Sequence, residues 1–285
     1  MKNLLFIFCC TILTVGYAQR NFDEVEITSE QLTDKVYVLF GAGGNIGLLV
    51  GEDAAYLIDD QFGPLTPKIV SHVKTITDKP INFVLNTHHH GDHTGGNENL
   101  ANNGATIIAH ENVRELLEAD EKTSEAAYPV ITFNDKMTLY LGDNQRLLAM
   151  HVNPAHTKGD TYYYLPEANV IHMGDNFFAG RYPYIDIKSG GDIDGLISNV
   201  TMALGMLDEN TIIIPGHGSI ANISDLEDYK NVLVELRKRV KKAREAGNSL
   251  EATQQMNLSK EWDATHGTGF INAERIVEFI YKSAD

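Results

Sequence analysis

The sequence predicts an α/β chain whose sheets are covered by helices. Three features point there: short apolar, β-branched runs bounded by Gly and acidic turns, helix-period stripes interleaved with them, and a C-terminal part that is helical throughout. Taken in order, the chain opens with Lys2 and an apolar run from Leu4 to Val15, shorter than the about 20 residues needed to span a bilayer. Gly16-Tyr17-Ala18 then presents small residues suited to a cut after Ala18, so residues 1–18 read as a secretory signal peptide. The expectation is export, to the periplasm or beyond, with residues 19–285 forming one domain. Cys9 and Cys10 leave with the leader, so the mature chain has neither a disulfide nor a thiol nucleophile.

Val36 to Phe40, Ile46 to Val50 and Ala55 to Ile58 read as strands. The turn Gly41-Ala42-Gly43-Gly44-Asn45 reads as a hairpin connection, with a mobile rim over a site as the alternative. Thr66-Pro67 starts a helix with the stripe Ile69, Val70, Val73 and Ile76. Ile81 to Asn86 and Thr106 to Ala109 are further strands, the second followed by a helix from Glu111 to about Ala119. Gln145 to Val152, Thr161 to Leu165, Val170 to His172 and Thr211 to Ile214 complete the strands. Ser224 and Glu227 read as a capping box for a helix that Gly247 stops. Asn272 opens the last helix, with Ile276, Val277, Phe279 and Ile280 inward.

With 23 Lys and Arg against 39 Asp and Glu, the formal charge is −16. A chain this acidic is a poor candidate for binding a nucleic-acid backbone or an anionic membrane surface. No apolar stretch after the leader is long enough for a span. The expected partner is a small-molecule substrate.

The chemistry concentrates in Thr87-His88-His89-His90-Gly91-Asp92-His93-Thr94-Gly95-Gly96, directly after the strand at Ile81. Imidazoles with a carboxylate suit a borderline divalent cation. His88 and His90, two apart, share a side of an extended segment. Gly91 allows a turn that aims Asp92 and His93 elsewhere, which suits two cations. Three later segments repeat the pattern of a strand followed by a ligand close to a Gly: His156 after Leu147 to Val152, Asp175 after Asn169 to Met173, and His217 after Ile212 to Ile214. His72, His110, His151, His172 and His266 fall outside it.

In these motifs the chain resembles the metallo-β-lactamase-fold hydrolase superfamily, whose H-x-H-x-D-H falls on His88, His90, Asp92 and His93. The resemblance implies a four-layer αβ/βα sandwich with two zinc ions at one edge of the sheets, iron or manganese also suiting the donors. It implies one metal site from His88, His90 and His156, a second from Asp92, His93 and His217, and Asp175 bridging them. It implies that Asp59, with Asp60 as competitor, orients a metal-bound histidine, that Asp92 orients and deprotonates the nucleophile, and that a metal-bridging hydroxide does the attack. His93 with Asp175 and no mature Cys is the general hydrolase pattern, rather than that of the best-known β-lactamases of this fold. The expected reaction is opening of a cyclic amide, ester or lactone. A glyoxalase II-like thioester hydrolase and a non-catalytic zinc-binding protein are the alternatives. The loop from Asn176 to Tyr184 is expected to lie over the metals, with Phe177 and Tyr184 as an apolar wall and Arg181 pairing with a substrate carboxylate.

Overall fold

A computed structural model describes residues 21–283. The signal peptide read at residues 1–18 lies outside the described residues. Alternating side chains sort each strand between two faces, and the strands assemble into two sheets. The first holds β1 (Thr28–Gln31), β2 (Val36–Phe40), β3 (Ile46–Val50), β4 (Ala55–Ile58), β5 (Ile81–Leu85), β6 (Thr106–His110) and β7 (Ile131–Phe133), in that spatial order. β1 to β4 are antiparallel, and β4 to β7 are parallel. The second sheet runs β12 (Ile212–Ile214), β11 (Val170–His172), β10 (Thr161–Leu165), β9 (Arg146–His151), β8 (Lys136–Tyr140).

The sheets face each other. Val36 and Val38 of β2 pack with Leu147 and Ala149 of β9 and Tyr163 and Leu165 of β10 in one apolar layer. The opposite faces take helices. Leu39 of β2 and Leu48 of β3 meet Ile69 and Val73 of α1 (Thr66–Ile76) and Leu100 of α3 (Asn97–Asn102). Tyr162 of β10 and Ile171 of β11 meet α5 (Ile193–Met206), α6 (Ile223–Glu245) and α9 (Ala273–Ser283) through Leu196, Val200, Leu233 and Ile280. The layers are therefore helices, sheet, sheet, helices, as the resemblance implies. The remaining helices are α2 (Gly91–Thr94) and α4 (Glu111–Glu118), with α7 (Leu250–Gln254) and α8 (Lys260–His266) after α6.

The expected strands are present within a residue or two of their bounds. The capping box is displaced: Asn222 accepts from the Asp225 N–H while Asp225 Oδ2 accepts from the Asn222 N–H, so α6 starts earlier than Ser224. Asn222 is the residue whose backbone is extended, and only that geometry leaves the side chain free to reach back. Gly247 takes φ 85° just past the helix end, as a terminating glycine does.

The crossover between the sheets is stapled by two histidines outside the candidate site. His110 and His151 stack with ring centroids 3.6 Å apart. His110 Nε2 donates to the Asn134 carbonyl, and the His151 amide donates to the Asp135 carbonyl. Burial first, and for His151 the charge of its neighbour, lower both pKa values, against weaker raising effects of Glu111, Glu115 and Asp135. The folded state thus binds fewer protons here than the unfolded chain. This contribution to stability is complete above about pH 6.5 and is lost as pH falls through the lowered values. Urea midpoints should drop between pH 7 and pH 5, and His151→Gln should drop less steeply; equal slopes would refute the assignment.

Candidate metal centre

Four chain segments deliver side chains to one edge of the two sheets. β5 ends at Leu85 and runs into Thr87 and His88, then His90, and α2 supplies Asp92 and His93. The turn after β9 carries His156, the 3-10 turn after β11 carries Asp175, and the turn after β12 carries His217. Ligand atoms of His88, His90 and His156 come within 4.8 Å of one another, as do those of Asp92, His93 and His217, and those of His88, His93 and Asp175.

Asp175 stands between the two triads with one oxygen for each. Its Oδ1 lies 3.1 Å from His93 Nε2 and 3.5 Å from His217 Nε2, and its Oδ2 lies 3.4 Å from His156 Nε2 and 3.9 Å from His88 Nε2. Asp92 Oδ2 lies 3.5 Å from His217 Nε2 and 3.9 Å from His93 Nε2.

The imidazoles are held by their other nitrogens, and this fixes which nitrogen faces inward. His93 Nδ1–H donates to Asp59 Oδ2 at 2.7 Å. Asp59 also accepts from the Thr87 amide and hydroxyl. Since that hydroxyl donates to Asp59, it accepts from His88 Nδ1–H at 3.0 Å. His156 Nδ1–H donates to the Tyr184 carbonyl at 2.7 Å, and His90 Nε2–H donates to Asp186 Oδ2 at 3.0 Å. The inward atoms are then His88 Nε2, His90 Nδ1, His156 Nε2 and His93 Nε2. Asp59 is fully buried and touches the triads only through His93 and Thr87, so its place is that of a positioning residue, and Asp60 turns away to accept from the Gly96 amide.

These donors fit a pair of divalent cations. His88 Nε2 and Asp175 Oδ1 are buried without a hydrogen-bond partner. His90 Nδ1 and His156 Nε2, both lone pairs by the bonding above, face each other at 2.8 Å. Buried polar atoms without partners cost about 1–3 kcal/mol each, which a cation at their focus would recover. Burial and the neighbouring imidazoles His93 and His156 hold the His88 pKa well below the ordinary value, and His156 is pushed down to about 4 mainly by burial. Both are neutral ligands at pH 7. Burial works against a charge on Asp175, yet His93, His217 and His156 draw its pKa well below the usual carboxylate range.

The turn from Gly41 to Asn45 is a clamp rather than a mobile rim. Gly44 N–H donates to the Asp92 carbonyl, Asn45 N–H to the Gly216 carbonyl, and Asn45 Nδ2 to the Pro215 and Gly218 carbonyls. Gln61 Nε2 braces it from below through the Gly44 carbonyl. A Cβ on Gly44 would overlap the His93 ring. Gly44→Ala should therefore displace that ring and destabilise the fold by about 3 kcal/mol, read as a lower Tm; an unchanged Tm would show that the turn yields instead.

Of the expected substrate residues, Arg181 and Tyr184 line a cavity of about 500 Å³ over the triads, together with His90, Asp92, Asp175, Phe178 and His217. Phe177 does not. It is buried against Tyr229, ring centroids 5.0 Å apart, in the layer under α6. The backbone at Phe177 is extended, so successive side chains point oppositely, and Phe178 takes the place at the cavity, stacked on His217 at 5.2 Å.

Sequence reasoning missed three supporting residues: Asp186, Thr87 and Asp160. Asp160 accepts from the His156 and Thr157 amides, the Thr157 hydroxyl and Asn176 Nδ2, tying the His156 turn to the Asp175 turn. Its signal was present as the Asp that closes His156-Thr157-Lys158-Gly159-Asp160. His172 is buried and bolts β11 to the Asn45 carbonyl.

Comparison with known proteins agrees with this geometry. The chain is 31% identical over 145 residues to a hydroxyacylglutathione hydrolase of Nitrosococcus oceani, 50% of each chain being covered. It thus spans about half the length of that relative. It is 24% identical over 197 residues to the probable metallo-hydrolase YqgX of Bacillus subtilis, covering 66% of this chain and 92% of the other. A metallo-beta-lactamase from Pontibacter korlensis shares the fold, with a TM-score of 0.64 at 19% identity over 73% of this chain and 99% of that one. Residues 39–217 match the model of the metallo-beta-lactamase superfamily, and because that stretch is more than half of the sequence and holds both triads and Asp175, the chain belongs to that superfamily.

Proposed function

We propose that the protein is an exported hydrolase with two divalent cations, zinc by the nitrogen and oxygen donors, that opens a cyclic amide, ester or lactone. The observation that carries this reading is Asp175, whose two oxygens face different triads. His88, His90 and His156 would hold one cation, Asp92, His93 and His217 the other, and Asp175 both. When bound, such cations polarise a carbonyl and make water acidic near neutral pH.

The chain's own groups do the rest. Asp92 is the partly exposed carboxylate on the cavity floor, placed to accept the proton of the attacking water as well as to hold a cation. Water oxygen bonds to the carbonyl carbon, the bond to the leaving atom breaks, and the proton held at Asp92 Oδ1, the oxygen turned away from His217, passes to that atom. Asp59, Thr87, Asp186 and the Tyr184 carbonyl keep the imidazoles aimed, so no reorganisation is needed during the step. Arg181 and Tyr184 line the approach, and a substrate carboxylate would pair with the guanidinium.

Similarity to hydroxyacylglutathione hydrolases supports a thioester as the second substrate class. Purified protein should carry close to two cations by elemental analysis and lose turnover on chelation. Nitrocefin, a homoserine lactone and S-lactoylglutathione sort the classes. Metal without turnover on any of them would leave a zinc-binding protein, and iron or manganese in place of zinc would change the cofactor. Export rests on the leader sequence, and a mature N-terminus near Gln19 in the secreted or periplasmic fraction tests it.

A further inference from the structure

The cavity has a wall that the stretch matched by the family does not supply. Phe270 and Ile271, in the turn between α8 and α9, line it together with residues of both triads. Phe270 is 79% exposed, an unusual position for a large aromatic side chain, while Ile271 beside it is buried. Arg275 stacks behind Phe270 at 5.9 Å, and Tyr184 meets it edge-on at 6.4 Å. Tyr184 in turn lies 5.6 Å from His90 and 5.7 Å from His156. Aromatic surface therefore runs without a break from the imidazoles of the first triad to the mouth of the cavity.

The turn is fixed to the loop that follows Asp175. The Tyr182 amide donates to the His266 carbonyl at 3.0 Å, and its hydroxyl donates to Asp263 Oδ1 at 2.9 Å, with the Ser259 carbonyl 3.2 Å away. A Cβ on Gly267 would stand 3.3 Å from the Tyr182 ring, and one on Gly269 3.3 Å from Arg181 Cδ. Glycines at both positions let the turn lie flat on that loop. Phe270 is thus presented by a braced segment rather than by a free one.

We infer that the turn after α8 is a specificity element, and that Phe270 with Tyr184 seats an extended apolar acyl group on the substrate's carbonyl side. The inference deepens the proposed hydrolase reading and rests on it. An acyl group whose carbonyl lies at the triads, on the His90 side, extends along Tyr184 and buries its far end on Phe270. Each added methylene then leaves water, worth roughly threefold in affinity until the wall is covered. A short acyl group such as acetyl reaches Tyr184 at most and gains nothing from Phe270.

Calorimetry on the metal-loaded protein with acetate, butanoate, hexanoate and octanoate, the products of such a reaction, tests this without turnover. Dissociation constants should tighten about threefold per methylene toward hexanoate. Phe270→Ala should flatten that trend, with roughly a tenfold loss for hexanoate, and Phe270→Leu should restore most of it. Tyr140→Ala, an exposed aromatic on β8 far from the cavity, should match the wild type. The kcat/KM values of nitrophenyl esters with the same acyl lengths should follow the same slopes. A flat series in the wild type, or an unchanged slope in Phe270→Ala, overturns the inference. Chain-length-dependent binding lost with Phe270, but with no ester, lactone or amide cleaved, keeps the subsite and sinks the hydrolase reading instead.

Discussion

Asp175→Asn is expected to give a folded protein that retains fewer than two cations per chain and hydrolyses its substrate roughly 10²–10³-fold more slowly. The substitution preserves shape and removes one charge from between the triads. Asp175 Oδ1 faces His93 and His217, and Oδ2 faces His156 and His88, so an amide must turn its NH2 toward one of them. That half then meets a donor where it needs an acceptor. Elemental analysis gives the stoichiometry, and a thermal melt confirms folding. Full occupancy with full activity would show that Asp175 is a bystander and that the two triads work independently.

Which half fails distinguishes the roles further. If one cation is lost and slow turnover persists, the remaining triad suffices to bind the carbonyl. If both are lost, the carboxylate holds the pair together, as its central position among four imidazole nitrogens implies. Partial occupancy therefore reports on cooperation between the sites, which a simple loss of activity does not.

The candidate site was legible because its residues obey a local rule. A ligand placed directly after a buried strand and beside a glycine falls at a sheet edge, and four such segments lead to one edge. The strands were legible for the same reason: period-two alternation, as in Val36, Val38 and Leu39, sorts side chains between the sheet interface and the helices. Where that rule is silent the sequence was silent. α5 has the stripe Ile193, Leu196, Val200 and Ala203, but Gly195 and Gly205 lower its helix propensity and the exposed Met202 and Met206 blur its polar side, so Ile193–Met206 does not stand out as a helix in the sequence. β8 alternates too, but between exposed and half-buried positions, and its polar residues hide a strand. Phe177 and Phe178 are chemically identical, and only the backbone direction decides which reaches the cavity. The support from Asp186, ninety-six residues from His90, leaves no local trace at all.

Asp59 is where local sequence and distant geometry meet, and its removal is expected to have the second largest effect. Asp59→Ala should weaken binding of the cation held by His93 by about 10–100-fold. It should also destabilise the fold, because the Thr87 amide and hydroxyl and His93 Nδ1–H lose a fully buried acceptor, at about 1–3 kcal/mol for each group left unpaired. Asp59 adopts φ 63° and Gln61 φ 59°, a left-handed backbone that non-glycine residues take at a cost. That geometry persists because Asp59 N–H is tied to Leu85 and Asp60 N–H to His93. The strain aims the carboxylate at two triad residues at once, His93 directly and His88 through the Thr87 hydroxyl. Asp59→Asn separates positioning from bulk stability. Its amide cannot accept from the Thr87 amide, the Thr87 hydroxyl and His93 Nδ1–H together, so the His93 tautomer is no longer fixed although the volume is nearly unchanged. A chelator competition should then show weakened metal retention with a modest loss of Tm. Retention equal to the wild type in both variants would mean that His93 is aimed by its packing against Gly44 alone.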